Sequence, residues 1–391
     1  MKIRLYYPSL FVVLLFHASF ITLPYWNDYY HFKYIVLFIV SIFLAFNYNV
    51  IFNKKYKTVN LILFMYLFMV LLSSYINKNN ELSRDSFLSA IVLVAMILEV
   101  FLLFEYFSIK GKVNKLICTL YYLVLFYLIL TDIIMIIKPT LYIEKGMYYL
   151  IGNKFTVSYL HLQWIILYLQ KNKNNFNLRQ KILLFMHCLI TLLVCIYVEC
   201  STGIMGFFIM LLYIIIGRKH GAILKNPKNI LLTILISSSI LILFSGILNN
   251  KFIAFFIENI LHEDITLTGR MSIYSKLAVV FSDHICFGYG IGSSFDIIMK
   301  TIGAPNTQNG VLECILEQGI ISVSLLMVLI YVIFKKIQNS SEKVVVVTTL
   351  YVYAVLSSIE ITLDISFIIW LAIALVCSNE KMYLKTNFKK N

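Results

Sequence analysis

The sequence predicts an all-α polytopic membrane protein with about 12 transmembrane helices and one long outer loop. Of its 391 residues, 60% are hydrophobic and 13% are charged, whereas soluble domains are nearer half apolar and a quarter charged. The apolar segments are long and continuous and do not alternate with period two, which excludes a membrane β-barrel. Helices then satisfy the backbone inside the bilayer.

Roughly 20 apolar residues are long enough to cross a bilayer as a helix. We predict twelve such helices within a single integral membrane domain that covers residues 1–391. No small-residue cleavage site follows the first apolar run, so we interpret that run as a retained helix and not as a signal peptide. The predicted ranges are 6–24, 32–52, 58–76, 86–108, 116–137, 155–170, 182–199, 202–216, 230–248, 308–334, 344–359 and 361–377.

Lysine and arginine residues set the predicted orientation, because cytoplasmic loops carry an excess of them. With the N-terminus inside, 23 of the 33 Lys and Arg residues fall in inner segments. Both termini are then cytoplasmic, and the protein is a multi-pass protein of the cell membrane. The ten outer residues are Lys33, Lys78, Arg84, Lys138, Lys145, Lys154, Lys251, Arg270, Lys276 and Lys300.

The longest outer segment is the extracytoplasmic loop 249–307, which has 59 residues. A loop of this length is usually functional. Within it, the apolar and aromatic stretch 252–260 is suited to the membrane interface, and residues 271–281 are expected to form a short helix. Gly288–Gly292 lacks the spacing of a nucleotide-binding loop, so we interpret it as a tight backbone turn.

Composition also excludes several partners and cofactors. The net charge of +14 is explained by loop lysines that set topology, so we expect the lipid bilayer and no nucleic acid as a partner. The seven cysteines show no CxxC or Cys/His spacing, which gives no sign of a metal or redox site. We therefore expect no metal and no cofactor.

Three helices that run from outside to inside begin with polar residues that make good N-caps. The N–H groups at these helix starts favour anions, and nearby Lys154 and Arg270 add positive charge on the same predicted side. A phosphate-bearing ligand is one interpretation, and ordinary helix capping is the alternative. The three starts contain Asn153 and Lys154, Ser201 and Thr202, and Gln308 and Asn309.

Two further features carry ionisable groups with possible chemical roles. Arg270 is the only arginine of the long loop, and its planar fork can grip two phosphate oxygens. The alternative for Arg270 is an ion pair with Glu263 or Asp264. Glu313 and Glu317 lie four residues apart, hence on one helix face, and ionisable groups inside a membrane boundary are usually functional.

The segment 150–335 resembles the Wzy-type O-antigen and capsular polysaccharide polymerases and the related O-antigen ligases. Two departures stand out, because the family often has an arginine at the position of Ser201 and a histidine at the position of Gln308, so the general base stays open. The residues that carry the resemblance are Gly152-Asn153-Lys154, Ser201-Thr202-Gly203, Gly269-Arg270, Tyr274, Phe287-Gly288-Tyr289-Gly290, Asn309, Leu312-Glu313 and Glu317-Gln318-Gly319-Ile320.

The resemblance implies a GT-C-like glycosyltransferase whose donor is a glycan on undecaprenyl diphosphate. It implies Arg270, Asn309 and Glu313 as catalytic residues, and a chain-length regulator and a flippase as protein partners. Polymerisation of repeat units is the leading hypothesis, and the alternatives are a ligase with another acceptor or a flippase for lipid-linked sugars. The substrate-binding candidates are Asn153, Lys154, Ser201, Thr202, Tyr274 and Gln308.

The topology gives a first testable prediction. A cysteine introduced by Asn259→Cys should react with a membrane-impermeant thiol reagent in intact cells or spheroplasts, because loop 249–307 is predicted to face outward. Labelling that occurs only after permeabilisation would reject the orientation.

Overall fold

Fourteen α-helices and one short 3-10 helix, Tyr48–Val50, form the regular structure of the described chain. The computed structural model describes residues 6–19, 21, 29–78, 82–139, 148–172, 176–243, 270–282, 284–340 and 345–379. No strand occurs in these ranges, so the described chain is all-helical. The helices are α1 (Ser9–Ser19), α2 (Tyr29–Phe46), α3 (Lys57–Ile76), α4 (Ser86–Ile109), α5 (Val113–Ile137), α6 (Lys154–Lys171), α7 (Leu178–Tyr197), α8 (Ser201–Lys225), α9 (Pro227–Leu243), α10 (Arg270–Phe281), α11 (Ser294–Ile302), α12 (Gly310–Gln338), α13 (Val347–Leu356) and α14 (Ile365–Cys377).

Each of the twelve predicted ranges overlaps one of these helices, and α10 matches the short helix expected at 271–281. Several predicted ends are wrong, including that of α2, which ends at Phe46 and not 52. Two of these differences have a clear physical reason. Helix α8 continues past 216 to Lys225, with a kink at His220, because charged residues end an apolar run without ending a helix. Helix α14 begins at Ile365 and not 361, because the Asp364 carboxylate caps it there. Helix α11 was not predicted.

Within the described ranges, six helices are long and apolar enough to cross a membrane, which supports membrane insertion of this chain. These are α3, α4, α5, α7, α8 and α12. Because α1, α13, α14 and the apolar parts of α2 and α9 are shorter, the total of twelve spans stays a prediction, as does the GT-C-like arrangement. The predicted cytoplasmic termini (residues 1–5 and 380–391) and the loop segment 249–269, including Asn259, lie outside the described residues.

Helix α6 lies in the interior of the bundle. Its residues from Leu160 to Gln170 are all buried, including Gln163 and Trp164. A helix that is surrounded by other helices does not face lipid, so its surface does not have to be apolar on every side. Helix α6 is enclosed by α5, α7 and α8, which explains why it can be the least apolar of the long helices. Its first turn therefore has a fixed place relative to its neighbours.

Helix α12 is broken at Gly319, whose φ of 75° and ψ of 164° are not helical. The break frees the carbonyls of Leu316 and Glu317, which accept hydrogen bonds from the N–H groups of Tyr289 (2.7 Å) and Gly290 (2.9 Å). In return, the Ile320 N–H donates to the Ile285 carbonyl at 2.8 Å. The 285–292 segment thus supplies the backbone partners that the helix lost, as a membrane protein requires.

Close backbone contact explains the glycines at this junction. A Cβ on Gly319 would overlap the Cys286 carbonyl, and a Cβ on Gly288 would lie 2.7 Å from the Gly319 nitrogen. The interpretation of Gly288–Gly292 as a tight turn against the helices is confirmed. Polar side chains of α3 hold the turn in place. Ser73 Oγ donates to the Phe287 carbonyl, and Asn77 Nδ2 donates to the Gly288 carbonyl at 3.0 Å. Ser74 Oγ accepts from the Ile291 N–H at 3.0 Å.

The junction predicts an unequal response to two glycine substitutions. Gly319→Ala should lower the melting temperature of the detergent-purified protein more than Gly111→Ala. Both glycines have positive φ, and a left-handed backbone costs a non-glycine residue about 1–2 kcal/mol. Only Gly319 also meets backbone atoms, since a Cβ on Gly111 has nothing within 4 Å. Equal losses of melting temperature would show that the contact with Cys286 is unimportant.

Candidate functional site

A cavity of about 1060 Å³ opens where the ends of several helices meet. Its walls come from the end of α1, the start of α2, the first half of α6, the start of α10, the segment 302–308 and the segment 360–366. The charge pattern of the sequence predicts that these helix ends face the outer side of the membrane. Four of the predicted site residues line it together: Asn153, Lys154, Arg270 and Gln308.

Arg270 begins α10, and its side chain is only 11% exposed. Its Nε donates to the Ile359 carbonyl at 3.1 Å, and a terminal nitrogen lies 3.5 Å from the Glu360 carboxylate. The alternative partners Glu263 and Asp264 lie outside the described residues. Sequence analysis missed Glu360 because it belongs to a distant loop. These contacts fix the guanidinium in the cavity wall before any ligand binds.

Three basic residues, Lys33, Lys154 and Arg270, form what we call the cationic wall of the cavity. The start of α6 supplies the second of them, Lys154. Asn153 Oδ1 accepts a hydrogen bond from the Thr156 N–H at 3.0 Å, which confirms the predicted N-cap. Lys154 Nζ donates to the Glu199 carbonyl at 3.0 Å. Lys33, on α2, is a third cation in the same cavity and was not predicted. Its position could not be recognised from local sequence, because only the packing of α2 places it there.

Gln308 lines the cavity with its backbone in the left-handed region, at a φ of 53°. Both its main-chain N–H and its Nε2 donate to Asn306 Oδ1 at 2.9 Å. The Tyr274 hydroxyl lies 3.0 Å from the Gln308 carbonyl and 3.2 Å from the Ser358 carbonyl. Burial raises the pKa of Tyr274 to about 12, so its hydroxyl stays a neutral donor and ties two wall segments together.

Asn309 and Glu313 do not line the cavity. Asn309 is fully buried and caps α12 by accepting from the N–H groups of Val311 (3.1 Å) and Leu312 (3.2 Å). Glu313 Oε2 accepts from both the N–H (3.1 Å) and the hydroxyl (2.8 Å) of Thr307. These bonds hold in place the segment that carries Gln308. Asn309 and Glu313 therefore position the cavity wall and do not form its surface.

Ser201 and Thr202 also lie outside the cavity lining. The predicted cap at this helix start is wrong, because Cys200 is the N-cap of α8 and its Sγ accepts from the Gly203 N–H at 3.3 Å. Gly203 packs against Ser158 of α6, where a Cβ would lie 2.7 Å from the Ser158 Cβ. This start of α8 therefore supports α6 from behind.

Two carboxylates, Glu360 and Asp364, line the cavity and were not predicted. Asp364 Oδ1 caps α14 by accepting from the N–H groups of Ser366 (2.9 Å) and Phe367 (3.3 Å). Asp364 is accessible from the cavity that it lines. The protein around it still shields its carboxyl from bulk water, and this desolvation raises the pKa of Asp364 to about 6. An aspartate just before an apolar run is an N-cap signal that could have identified this position.

A neutral polar wall faces the same space. Gln163 is 5% exposed, and its Nε2 donates to the Tyr353 hydroxyl at 2.6 Å. Within the described part of the chain its Oε1 has no hydrogen-bond partner. The Tyr159 hydroxyl is likewise buried without a partner. All three residues line the cavity. Sequence analysis singled out none of the three, because each lies among apolar residues of a predicted transmembrane helix.

Metal binding finds no support in the described ranges, where no group of three His, Cys, Asp or Glu side chains could hold an ion. The cavity combines cationic side chains, carboxylates and neutral polar atoms, so it can bind an anion and also accept a proton from a hydroxyl. No family model, curated protein or solved structure matches this chain.

Proposed function

We propose that this protein is a glycosyltransferase that polymerises undecaprenyl-diphosphate-linked oligosaccharide repeat units into a surface polysaccharide, either a capsule or an O-antigen. In the proposed reaction, the growing glycan leaves its lipid diphosphate and joins a hydroxyl of a new lipid-linked repeat unit. The motifs that resemble the Wzy-type polymerases support this proposal, and so does the cavity.

The observation that carries the proposal is the shared position of Lys33, Lys154 and Arg270 in one cavity. A diphosphate leaving group gains negative charge as its bond to the sugar breaks. Fixed cations lower the barrier to such a step when they are in place beforehand. Arg270 is held by Ile359 and Glu360, and Lys154 by Glu199, so neither has to be ordered during the reaction.

The size of the cavity suits this substrate class. Sites for small ligands usually measure about 300–1,000 Å³, and this one is about 1060 Å³. It can therefore hold a diphosphate together with sugar residues on either side of the reacting bond. Such a site would act without a metal, since the side chains themselves supply the positive charge.

The position of the cavity favours an enzyme over a flippase. Transporter sites are typically near the bilayer midplane, between symmetric repeats and broken helices. Here the lining is made mostly of helix ends that the charge pattern assigns to one side. The break in α12 is filled by the 285–292 turn and does not belong to the cavity lining.

The finer parts of the proposal rest on the predicted orientation and on the resemblance to the Wzy-type polymerases. The reaction takes place at the outer face of the cytoplasmic membrane, in a GT-C-like arrangement with about 12 spans and cytoplasmic termini. The lipid-linked substrate is flipped to that face by a partner protein, and a chain-length regulator acts on the growing polymer.

Arg270 provides the main test. Arg270→Ala should abolish long polymer, and Arg270→Lys should restore only part of it, because an ammonium cannot form the paired hydrogen bonds of a guanidinium. Loss of a transition-state contact of this kind costs about 3–4 kcal/mol, or roughly a hundred- to thousandfold in rate. Surface polysaccharide and lipid-linked intermediates are measured in cells that contain equal amounts of each variant in the membrane.

Two control variants separate ligand binding from wall support. Arg84→Ala removes an exposed arginine on the same predicted side and should leave polymer unchanged. Glu360→Gln removes the ion pair of Arg270 and should have a milder effect than Arg270→Ala. Normal polymer with the alanine variant would reject the proposal. Full-length polymer that is no longer joined to its final acceptor would instead indicate a ligase.

Glu313 offers a second comparison. Glu313→Gln should reduce polymer formation about tenfold, since a hydrogen bond to a charged group is worth about 1.5–3 kcal/mol and Glu313 fixes Thr307. Glu99→Gln should have less effect, because buried Glu99 accepts from Ser41, and Ser41 is not part of a segment that lines the cavity. Polymer amounts are compared at equal membrane levels, and equal, mild losses would point away from Glu313.

A further inference from the structure

The cavity has two chemically different sides. Lys33, Lys154 and Arg270 supply positive charge, which suits the diphosphate of the proposed donor. The neutral polar wall, which we define as Tyr159, Gln163 and Tyr353, has no charge. Asp364 lies in the same lining. The two sides suit different parts of a substrate, so the polar wall needs its own explanation.

Unpartnered polar atoms point to a ligand at the neutral polar wall. Gln163 is 5% exposed, and among the residues that the structure describes neither its Oε1 nor the Tyr159 hydroxyl has a hydrogen-bond partner. A buried polar atom left without a hydrogen bond destabilises the fold, and such atoms in folded proteins call for an explanation. The Tyr353 hydroxyl accepts from Gln163 and still has its own proton to donate. The wall thus offers both acceptors and a donor.

A sugar fits this wall better than other ligand classes do. Its hydroxyls can donate to an amide oxygen or a carboxylate and accept from a phenol. Its apolar ring face can pack on the partly exposed ring of Tyr159, which the ring of buried Tyr353 supports from 5.7 Å away. A second phosphate would find no cation among these wall residues.

Asp364 is placed to take a proton from such a sugar. The capping hydrogen bonds from Ser366 and Phe367 both reach Oδ1, so Oδ2 is not used in capping. Glu360, the other carboxylate of the lining, is already paired with Arg270. The titratable and charged groups around Asp364 are Tyr159 on α6, Tyr353 on α13, Cys314 on α12 and Glu360 on its own loop, with Lys33, Lys154 and Arg270 elsewhere in the cavity.

We propose that Tyr159, Gln163 and Tyr353 form the subsite for the acceptor sugar and that Asp364 is the general base for its attacking hydroxyl. This inference rests on the proposed polymerase function. The acceptor oxygen forms a bond to the anomeric carbon of the donor sugar, and the bond from that carbon to the diphosphate oxygen breaks. The bonding electrons leave with the lipid diphosphate, and the acceptor proton passes to Asp364 Oδ2.

The test uses membrane vesicles that contain the full-length protein and the lipid-linked repeat unit extracted from Arg270→Ala cells. Asp364→Asn should slow polymer formation about a hundredfold or more, the usual contribution of a general base. Asparagine is also a good N-cap, so α14 should keep its start. Asp85→Asn is the matched control, since Asp85 caps α4 through its side chain outside the cavity and should leave the rate unchanged.

The pH profile separates a proton acceptor from a structural cap. A base with a raised pKa of about 6 is ionised above that pH, so its contribution is lost as the pH falls through it. The wild-type rate should drop about tenfold between about pH 7 and about pH 5, and Asp364→Asn should lack this drop. Asp364→Glu should keep part of the rate, and its rate should fall at a different pH from that of the wild type.

The subsite is tested by removing single hydroxyl groups. Tyr159→Phe should raise the KM for the repeat unit about fivefold, as expected for one hydrogen bond of about 1 kcal/mol. Tyr351→Phe removes another buried, unpartnered hydroxyl that does not line the cavity, and its KM should match the wild type. Equal KM values for wild type and Tyr159→Phe would overturn the subsite.

The outcomes distinguish this inference from the proposed function. If Arg270→Ala cells make normal polymer and accumulate no repeat unit, the proposed function fails and this inference fails with it. If Arg270→Ala blocks polymer formation while Asp364→Asn keeps the wild-type rate and pH profile, only the role of Asp364 is overturned.

Discussion

The broken helix α12 is the constraint on which the rest of the structure depends. Inside a bilayer, a break is tolerated only when other groups satisfy the freed backbone atoms, and here the 285–292 turn does so for Leu316 and Glu317. The same break separates the first half of α12, which carries Asn309 and Glu313, from the apolar half that follows Gly319. The direction of that first half then decides where Gln308 meets the cavity.

A single loop links this half helix to the cationic wall. The Gly310 N–H donates to the Ser357 carbonyl at 2.9 Å, and Cys314 Sγ donates to the Leu363 carbonyl at 3.4 Å. One turn apart on α10, Arg270 and Tyr274 bind neighbouring carbonyls of the same α13–α14 loop. Displacement of the first half of α12 would therefore move Arg270 and the two carboxylates together, and geometry that is set in advance is the main source of electrostatic catalysis.

Local chemistry made part of this site predictable from the sequence. The helix ranges follow from apolar length, the Asn153 and Asn309 caps from side-chain preference, and the Gly288–Gly292 turn from glycine content. The roles inside the site were harder to predict. Asn309 and Glu313 carry the motif resemblance, yet their hydrogen bonds go to α12 and to Thr307. A motif can indicate that a residue is important. Only the contacts of that residue in the structure show whether it faces a ligand.

Asp364 could have been found from its local N-cap signal, but the other residues that sequence analysis missed share one cause, which is that their roles depend on partners far along the chain. Glu360 has an evident role only beside Arg270, and Gln163 only beside Tyr353 on another helix. The charge balance of the cavity shows the same dependence. Lys33, Lys154 and Arg270 exceed Glu360 and Asp364 by one positive charge, so a bound diphosphate would compete with Glu360 for the guanidinium. Because Arg270 also bonds to the Ile359 carbonyl, it can release the carboxylate and keep its position.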